Sequence, residues 1–182
     1  YSSDQGATWS SAIRVNPDFE LKSSGMKMSG GPKPFGVDAE LVPDMLRRLK
    51  HLDLAFRGFH IFTGSQNLRP EALIEAHTQT LLLAQRLAEE APGPLTYLNI
   101  GGGLGIPYFP GEPPLDLAPV TANLAACLAA LPASFCDTEF VMELGRFLVG
   151  EAGFYVCRVL DRKVSRRRVY LVTDGGLHHH LA

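Results

Sequence analysis

With 182 residues, 46% of them hydrophobic and 20% charged, the chain has material for one domain with a buried core, or for one large piece of something bigger. Its 17 Lys and Arg are matched by 19 Asp and Glu for a net charge of −2, which lacks the clustered positive potential of a general DNA or RNA binder. No run approaches the roughly 20 apolar residues that cross a bilayer, so neither nucleic acid nor a membrane is expected as a partner. Tyr1–Ser11 is polar and carries no secretory pattern. The three cysteines, Cys127, Cys136 and Cys157, follow no CxxC spacing, and reduced thiols in a cytoplasm are the expectation.

Ala12–Val15 reads as a short strand ended by Asn16-Pro17-Asp18, and residues 22–34 are rich in Gly, Ser, Lys and Pro without a period, the mark of a long loop. Over Val42–Leu52 the apolar Val42, Met45, Leu46 and Leu49 recur at helical spacing, with Pro43 tolerated in the first turn. A regular alternation follows. Ala55–Phe62, Thr96–Ile100 and Glu139–Leu144 are strand-like, and the stretches Pro70–Ala91 and Leu117–Leu131 between them are helical. Strands separated by helices predict βαβ units on a parallel sheet, hence an α/β fold. After Arg146 the grammar changes: Phe154–Asp161 and Arg168–Thr173 are β-rich, with a polar turn expected over Arg162–Arg167 and no helix between. Residues 1–147 are therefore expected to be part of a (β/α) barrel and 148–182 the beginning of a β-rich domain. About five visible strands fall short of an eight-stranded barrel, which typically takes about 250 residues.

In parallel α/β folds, ligands meet the loops that follow the carboxyl ends of the strands. Thr63-Gly64-Ser65-Gln66-Asn67, just before the helix at Pro70, reads equally as a phosphate contact or as an N-capped turn. Gly101-Gly102-Gly103-Leu104-Gly105 is misspaced for a dinucleotide fingerprint and lacks the Gly-Lys-Ser/Thr of a P-loop, which leaves a phosphate cradle or a flexible turn. In Glu143-Leu144-Gly145-Arg146, Glu143 ends an apolar run, where a carboxylate needs a cationic partner. Arg146 either meets an anionic ligand or pairs with Glu143. Three such loops together favour a phosphate site. Consecutive side chains point in different directions, so His178-His179-His180 is not expected to be a metal site, and Arg166-Arg167-Arg168 reads as a solvated turn.

Taken in order, Gly58-Phe59-His60-Ile61-Phe62-Thr63-Gly64-Ser65-Gln66, Gly101-Gly102-Gly103 and Glu143-Leu144-Gly145-Arg146 resemble the signatures of the fold-type III pyridoxal-phosphate decarboxylases. That is the family of ornithine, arginine and diaminopimelate decarboxylases, and the resemblance covers nearly all of the chain after about Ala12. Arg14-Val15-Asn16-Pro17 and Phe35-Gly36-Val37 match its segments too. The closing residues 173–182, with Asn67-Leu68, are most similar to the branch associated with exosortase and exopolysaccharide gene clusters. The resemblance implies an alanine racemase-like, TIM-like (β/α)8 barrel followed by a β domain. It also implies a homodimeric carboxy-lyase, pyridoxal 5'-phosphate as cofactor and a small amino acid as substrate. By the same resemblance Ser65 and Gly101, Gly102 and Gly103 hold the cofactor phosphate, with Gly103 the most direct, and Gly145 and Arg146 complete that pocket. Glu143 is implied to face the pyridine nitrogen and keep it protonated, which makes the ring an electron sink.

The sequence departs from that pattern in places. Phe62 stands where relatives carry a stacking His; an aromatic face still stacks but moves no proton. His60 holds the motif's other His position and is expected to be structural, and Leu144 replaces the usual Pro. The lysine that bonds the cofactor in this family follows a Tyr-Ala-Val-Lys-like motif, and none of Lys22, Lys27, Lys33, Lys50 and Lys163 sits in one. No cysteine here matches the family's catalytic one. The chain alone is therefore expected neither to bond the cofactor covalently nor to decarboxylate. Two other readings stay open: a non-catalytic pyridoxal-phosphate-binding barrel, which the β-rich end argues against, and a (β/α) barrel that takes a sugar phosphate through the glycine loop.

Overall fold

A computed structural model describes residues 9–19, 33–52, 54–176 and 178–179. Most of the loop expected over 22–34, with Lys22 and Lys27, and also His180, lies outside the described residues. The chain divides into two units, with the break between Leu148 and Val149.

In the first unit, strands β1 (Ser10–Asn16), β2 (Val37–Asp38), β3 (Ala55–Ile61), β4 (Tyr97–Gly102) and β5 (Glu139–Glu143) are joined through helices α1 (Val42–Leu49), α2 (Pro70–Ala88) and α3 (Leu117–Ala129). A short helix, α4 (Gly145–Val149), follows β5. Every pairing is parallel, in the order β2-β1-β3-β4-β5. The fold is α/β, as the alternation of strand and helix patterns predicts. Strand β2 is absent from the sequence reading because two residues carry no period.

Alternation along each strand divides the sheet into two chemically different faces. Ile13 and Val15 of β1, Phe59 and Ile61 of β3, and Leu98 and Ile100 of β4 are buried in one core with Val42, Leu46 and Leu49 of α1 and Leu81, Ala84 and Leu87 of α2. The intervening residues point the other way. There the register sets Arg14 beside His60, His60 beside Asn99, and Asn99 beside Val141, in one row across four strands. The interior of an ordinary (β/α) barrel is packed with Val, Ile and Leu, so a row of this polarity marks the face for chemistry. Between Asn99 and Gly102 the ladder slips: three steps along β4 are opposed by the two from Val141 to Glu143 on β5. Such a bulge bends a strand and re-aims its side chains.

The second unit holds the antiparallel pair β6 (Val159–Ser165) and β7 (Arg168–Thr173). The sequence reading placed the turn over Arg162–Arg167, but only Arg166 and Arg167 turn, with φ of 47° and 69°, while Arg162–Ser165 continue the strand. Positive φ at both central residues is the geometry of a two-residue hairpin, whose twist matches the strands. The charged residues disguised it because both faces of β6 are exposed, so polarity does not separate strand from turn there. Residues 154–158, expected to be β, are irregular.

Helix α2 buries one titratable group away from the polar face. His77 is 1% exposed, and neither ring nitrogen has a hydrogen-bond partner among the described residues. Burial pushes its pKa below the ordinary 6.5, so the native state keeps it neutral while an unfolded chain takes up a proton below about pH 6.5. The stability at stake is fully present above that pH and is lost as pH falls through the folded-state value. In thermal melts of the full-length protein, His77→Leu is expected to reduce the loss of Tm between about pH 7 and pH 5; equal acid slopes for the two proteins would contradict this.

Candidate active site

The site begins with two loops stitched edge to edge. The Asn67 N–H donates to the Gly103 carbonyl at 2.8 Å and the Gly105 N–H to the Asn67 carbonyl at 2.9 Å, a short parallel bridge between the loops after β3 and β4. Gln66, at φ 54°, reinforces it: its Nε2 donates to the Ile106 carbonyl at 2.5 Å and its Oε1 accepts from the Ile106 N–H at 3.3 Å. Ser65, Gly102 and Gly103 line one small cleft with Gly64 and Asn67.

The three glycines explain why the loops meet. A Cβ on Gly101 would lie 3.0 Å from the Ile61 carbonyl oxygen, on Gly102 1.9 Å from that of Glu143, and on Gly103 3.1 Å from that of Gly64. The run therefore touches the end of β3, the end of β5 and the loop after β3 at once; the contact at Gly102 excludes a side chain, and those at Gly101 and Gly103 are tight. Gly101 and Gly103 also have φ of 75° and 95°.

At the end of β5, Glu143 Oε1 accepts from Asn99 Nδ2 at 3.0 Å, and Oε2 lies 3.4 Å from His60 Nε2. Burial pushes the pKa of His60 below 6.5; Glu143 opposes that and Arg14 reinforces it. His60 is thus neutral at neutral pH, and it meets Glu143 as a neutral imidazole rather than as a cation. The sequence reading gave His60 a structural place; its position beside Glu143 puts it in the site. Asn99 was given no role, although a carboxamide at a strand position two residues before a glycine run is a signal that alternation could have supplied.

Arg146 does not pair with Glu143 among the described residues. Its Nη1 donates to Gln66 Oε1 at 3.5 Å, and its guanidinium carbon lies 5.7 Å from the centre of the Tyr108 ring, which holds a positive charge next to Ser65's loop. Gly145 opens α4, does not line the cleft and has nothing within 4 Å of an added Cβ. Phe62 lies next to Gly101 and walls a cavity of about 260 Å³ with Arg14, Phe35 and Lys33. The Arg14 guanidinium carbon sits 5.3 Å from the Phe35 ring centre and 5.5 Å from that of Phe62, within cation–π range. The reach of Lys33 to this cavity was not anticipated.

Residues 6–150 match the family described as pyridoxal-dependent decarboxylase, pyridoxal binding domain. The chain belongs to the pyridoxal-dependent decarboxylases. Among its relatives, the L-glutamyl-[BtrI acyl-carrier protein] decarboxylase of Niallia circulans is 37% identical over 173 residues, 94% of this chain and 40% of that protein. The diaminopimelate decarboxylase of Thermoplasma acidophilum is 31% identical over 151 residues, 82% of this chain and 37% of that one. The crystal structure of diaminopimelate decarboxylase from Helicobacter pylori complexed with L-lysine superposes with a TM-score of 0.70 at 25% identity, covering 95% of this chain and 42% of that one. A further diaminopimelate decarboxylase structure reaches a TM-score of 0.74 at 23% identity, over 92% and 39%, a likeness of fold. The chain thus spans about two fifths of the length of these relatives, and its fold is a section of their TIM-like barrel followed by β structure.

For this decarboxylase domain the close contacts give a matched pair of variants. In the full-length protein, Gly102→Ala must force β4 and β5 apart and is expected to cost about 1–3 kcal/mol in urea unfolding. Gly145→Ala, with open space around it, should stay within about 0.5 kcal/mol; equal losses for the two would contradict the packing account.

Proposed function

We propose that this chain is the cofactor-holding part of a pyridoxal-phosphate-dependent amino-acid decarboxylase. The observation that carries the reading is the meeting of the ends of β3 and β5 and the loop after β3 at the glycine run, within a chain of this family. The donor set supports the cofactor. Ser65, the backbone of Gly102 and Gly103, and the cation of Arg146 suit a phosphate. An aromatic wall at Phe62 beside a cavity of about 260 Å³ suits a flat ring, and a carboxylate held by Asn99 suits a protonated ring nitrogen.

When bound, pyridoxal phosphate supplies an electron sink for the pair of electrons left on the substrate when its carboxylate departs. Each residue has a task in that chemistry. Ser65, Gly102 and Gly103, with the cation of Arg146, would bind the phosphate and so fix where the ring lies, while Gly101 shapes the bend behind them and Gly145, outside the cleft, contributes no contact to it. Glu143 holds the proton on the ring nitrogen. Phe62 covers one face of the ring and keeps water from it, and because its side chain carries no proton, the proton that replaces the carboxylate comes from another group. Residues 1–147 form the barrel portion and 148–182 begin the β domain. By the resemblance of its motifs, the whole enzyme works as a cytoplasmic homodimer on a small amino acid, and the exopolysaccharide-associated branch is its context.

The test uses the full-length protein with pyridoxal phosphate, assayed for release of carbon dioxide from diaminopimelate, lysine, ornithine, arginine and glutamate. Turnover of one of them is expected, and Glu143→Gln should lower kcat by at least about 100-fold with the cofactor affinity changed by less than about threefold. Binding of the cofactor with no decarboxylation of any amino acid favours the non-catalytic barrel, and failure to bind it at all favours the sugar-phosphate reading.

A further inference from the structure

We propose that Asn99 is a positioning residue that ties the phosphate-binding bend to the carboxylate of Glu143, so that the two ends of the cofactor are held by one buried side chain. The inference rests on the proposed cofactor reading. Asn99 is 4% exposed and makes three of the four hydrogen bonds open to a carboxamide inside the site. Its Oδ1 accepts from the Gly101 N–H at 2.8 Å, and its Nδ2 donates to Glu143 Oε1 at 3.0 Å and to the Tyr97 hydroxyl at 3.3 Å.

The acceptor half explains the bulge. Between Asn99 and Gly102 strand β4 carries one residue more than β5, and the Gly101 N–H within that interval is bonded to the Asn99 side chain. An Asn closing on the backbone two residues ahead stabilises this kind of turn, here with Gly101 at φ 75°. The donor half aims the carboxylate. Glu143 is half exposed, with 48% of its side chain open, and an unheld Glu at a strand end samples several rotamers. The groups around it are the neutral His60 of β3, with Arg14 of β1 behind, and Tyr97 and Asn99 of β4; of these, Asn99 gives it a donated hydrogen bond at 3.0 Å. A shift of the bend therefore moves the carboxylate's partner, and the distance between phosphate site and ring-nitrogen site is set by one residue.

The two halves separate experimentally in the full-length protein loaded with pyridoxal phosphate. Asn99→Leu removes both and is expected to weaken cofactor affinity by about tenfold or more. Asn99→Asp keeps the acceptor for Gly101, so affinity at about pH 6 should stay within about threefold of wild type. An aspartic acid there donates to Glu143 only while it keeps its proton. The absorption spectrum of the bound cofactor in N99D is therefore expected to change between about pH 6 and pH 8, where the wild-type spectrum holds steady. Circular dichroism establishes that both variants fold, and N99D, nearly isosteric, keeps the test open if N99L does not. If N99D matches wild type in spectrum across that range while Glu143→Gln alters it, the role of Asn99 is overturned and the cofactor reading stands. If the wild-type protein binds no pyridoxal phosphate, both fall.

Discussion

The approach of β4 to both of its neighbours at Gly101, Gly102 and Gly103 is the constraint on which the site depends. Ordinary parallel strands keep about 4.8 Å between them and leave room for a Cβ on every residue. Here the carbonyl of Glu143 occupies the place where a Gly102 side chain would be, and the carbonyls of Ile61 and Gly64 press on Gly101 and Gly103. Without side chains on these residues, the ends of β3 and β5 come within reach of one another, and Ser65, Phe62 and Glu143 share a neighbourhood although 78 residues separate Ser65 from Glu143 in the chain. The conformational entropy that glycine loses on folding is offset by backbone hydrogen bonds from Asn67 and Gly105 that lock the bend in place.

Around that constraint the sheet separates stability from chemistry. One face is a continuous apolar core between strands and helices, and it contributes most of the burial that holds the unit together. The other carries Arg14, His60, Asn99 and Glu143, each answered by a neighbour: Arg14 by two aromatic rings, His60 by Glu143, and Glu143 by Asn99. Hydrogen bonds from Asn99 to Glu143 and from the Gly101 N–H to Asn99 satisfy part of this row, while the buried His60 Nε2, 3.4 Å from Glu143 Oε2, makes no hydrogen bond among the described residues. Burial lowers the pKa of His60 against the opposing pull of Glu143, so the imidazole beside Glu143 resists taking up a proton.

Much of this was legible in the sequence, and the failures have physical causes. The strand at Ala55 and the helix at Pro70 announce themselves because each buries one face and burial imposes a period, whereas the strand at Glu139 buries no residue fully and the helix at Leu117 only Val120, and these two were legible from their apolar composition. Ser65, the glycine run and Glu143 could be singled out in the sequence because they lie at or just past strand ends, where an α/β fold exposes its loops. The roles of Asn99 and His60 were not, because pairing across strands is invisible until the register is known: His60 and Glu143 are 83 residues apart. Arg146 was read as either an anion's partner or Glu143's, and its contacts to Gln66 and Tyr108 depend on a loop path that no local pattern encodes. The hairpin turn at Arg166 and Arg167 was overdrawn for the opposite reason, since a strand exposed on both faces leaves no alternation to read.

The most direct measurement is a crystal structure of the full-length protein with pyridoxal phosphate bound. The account predicts the phosphate within hydrogen-bond distance of Ser65 and the Gly103 N–H, the ring nitrogen turned to Glu143, and the Phe62 ring against one face of the pyridine. A ring nitrogen directed away from Glu143, or a phosphate held elsewhere than at the glycine bend, would contradict it.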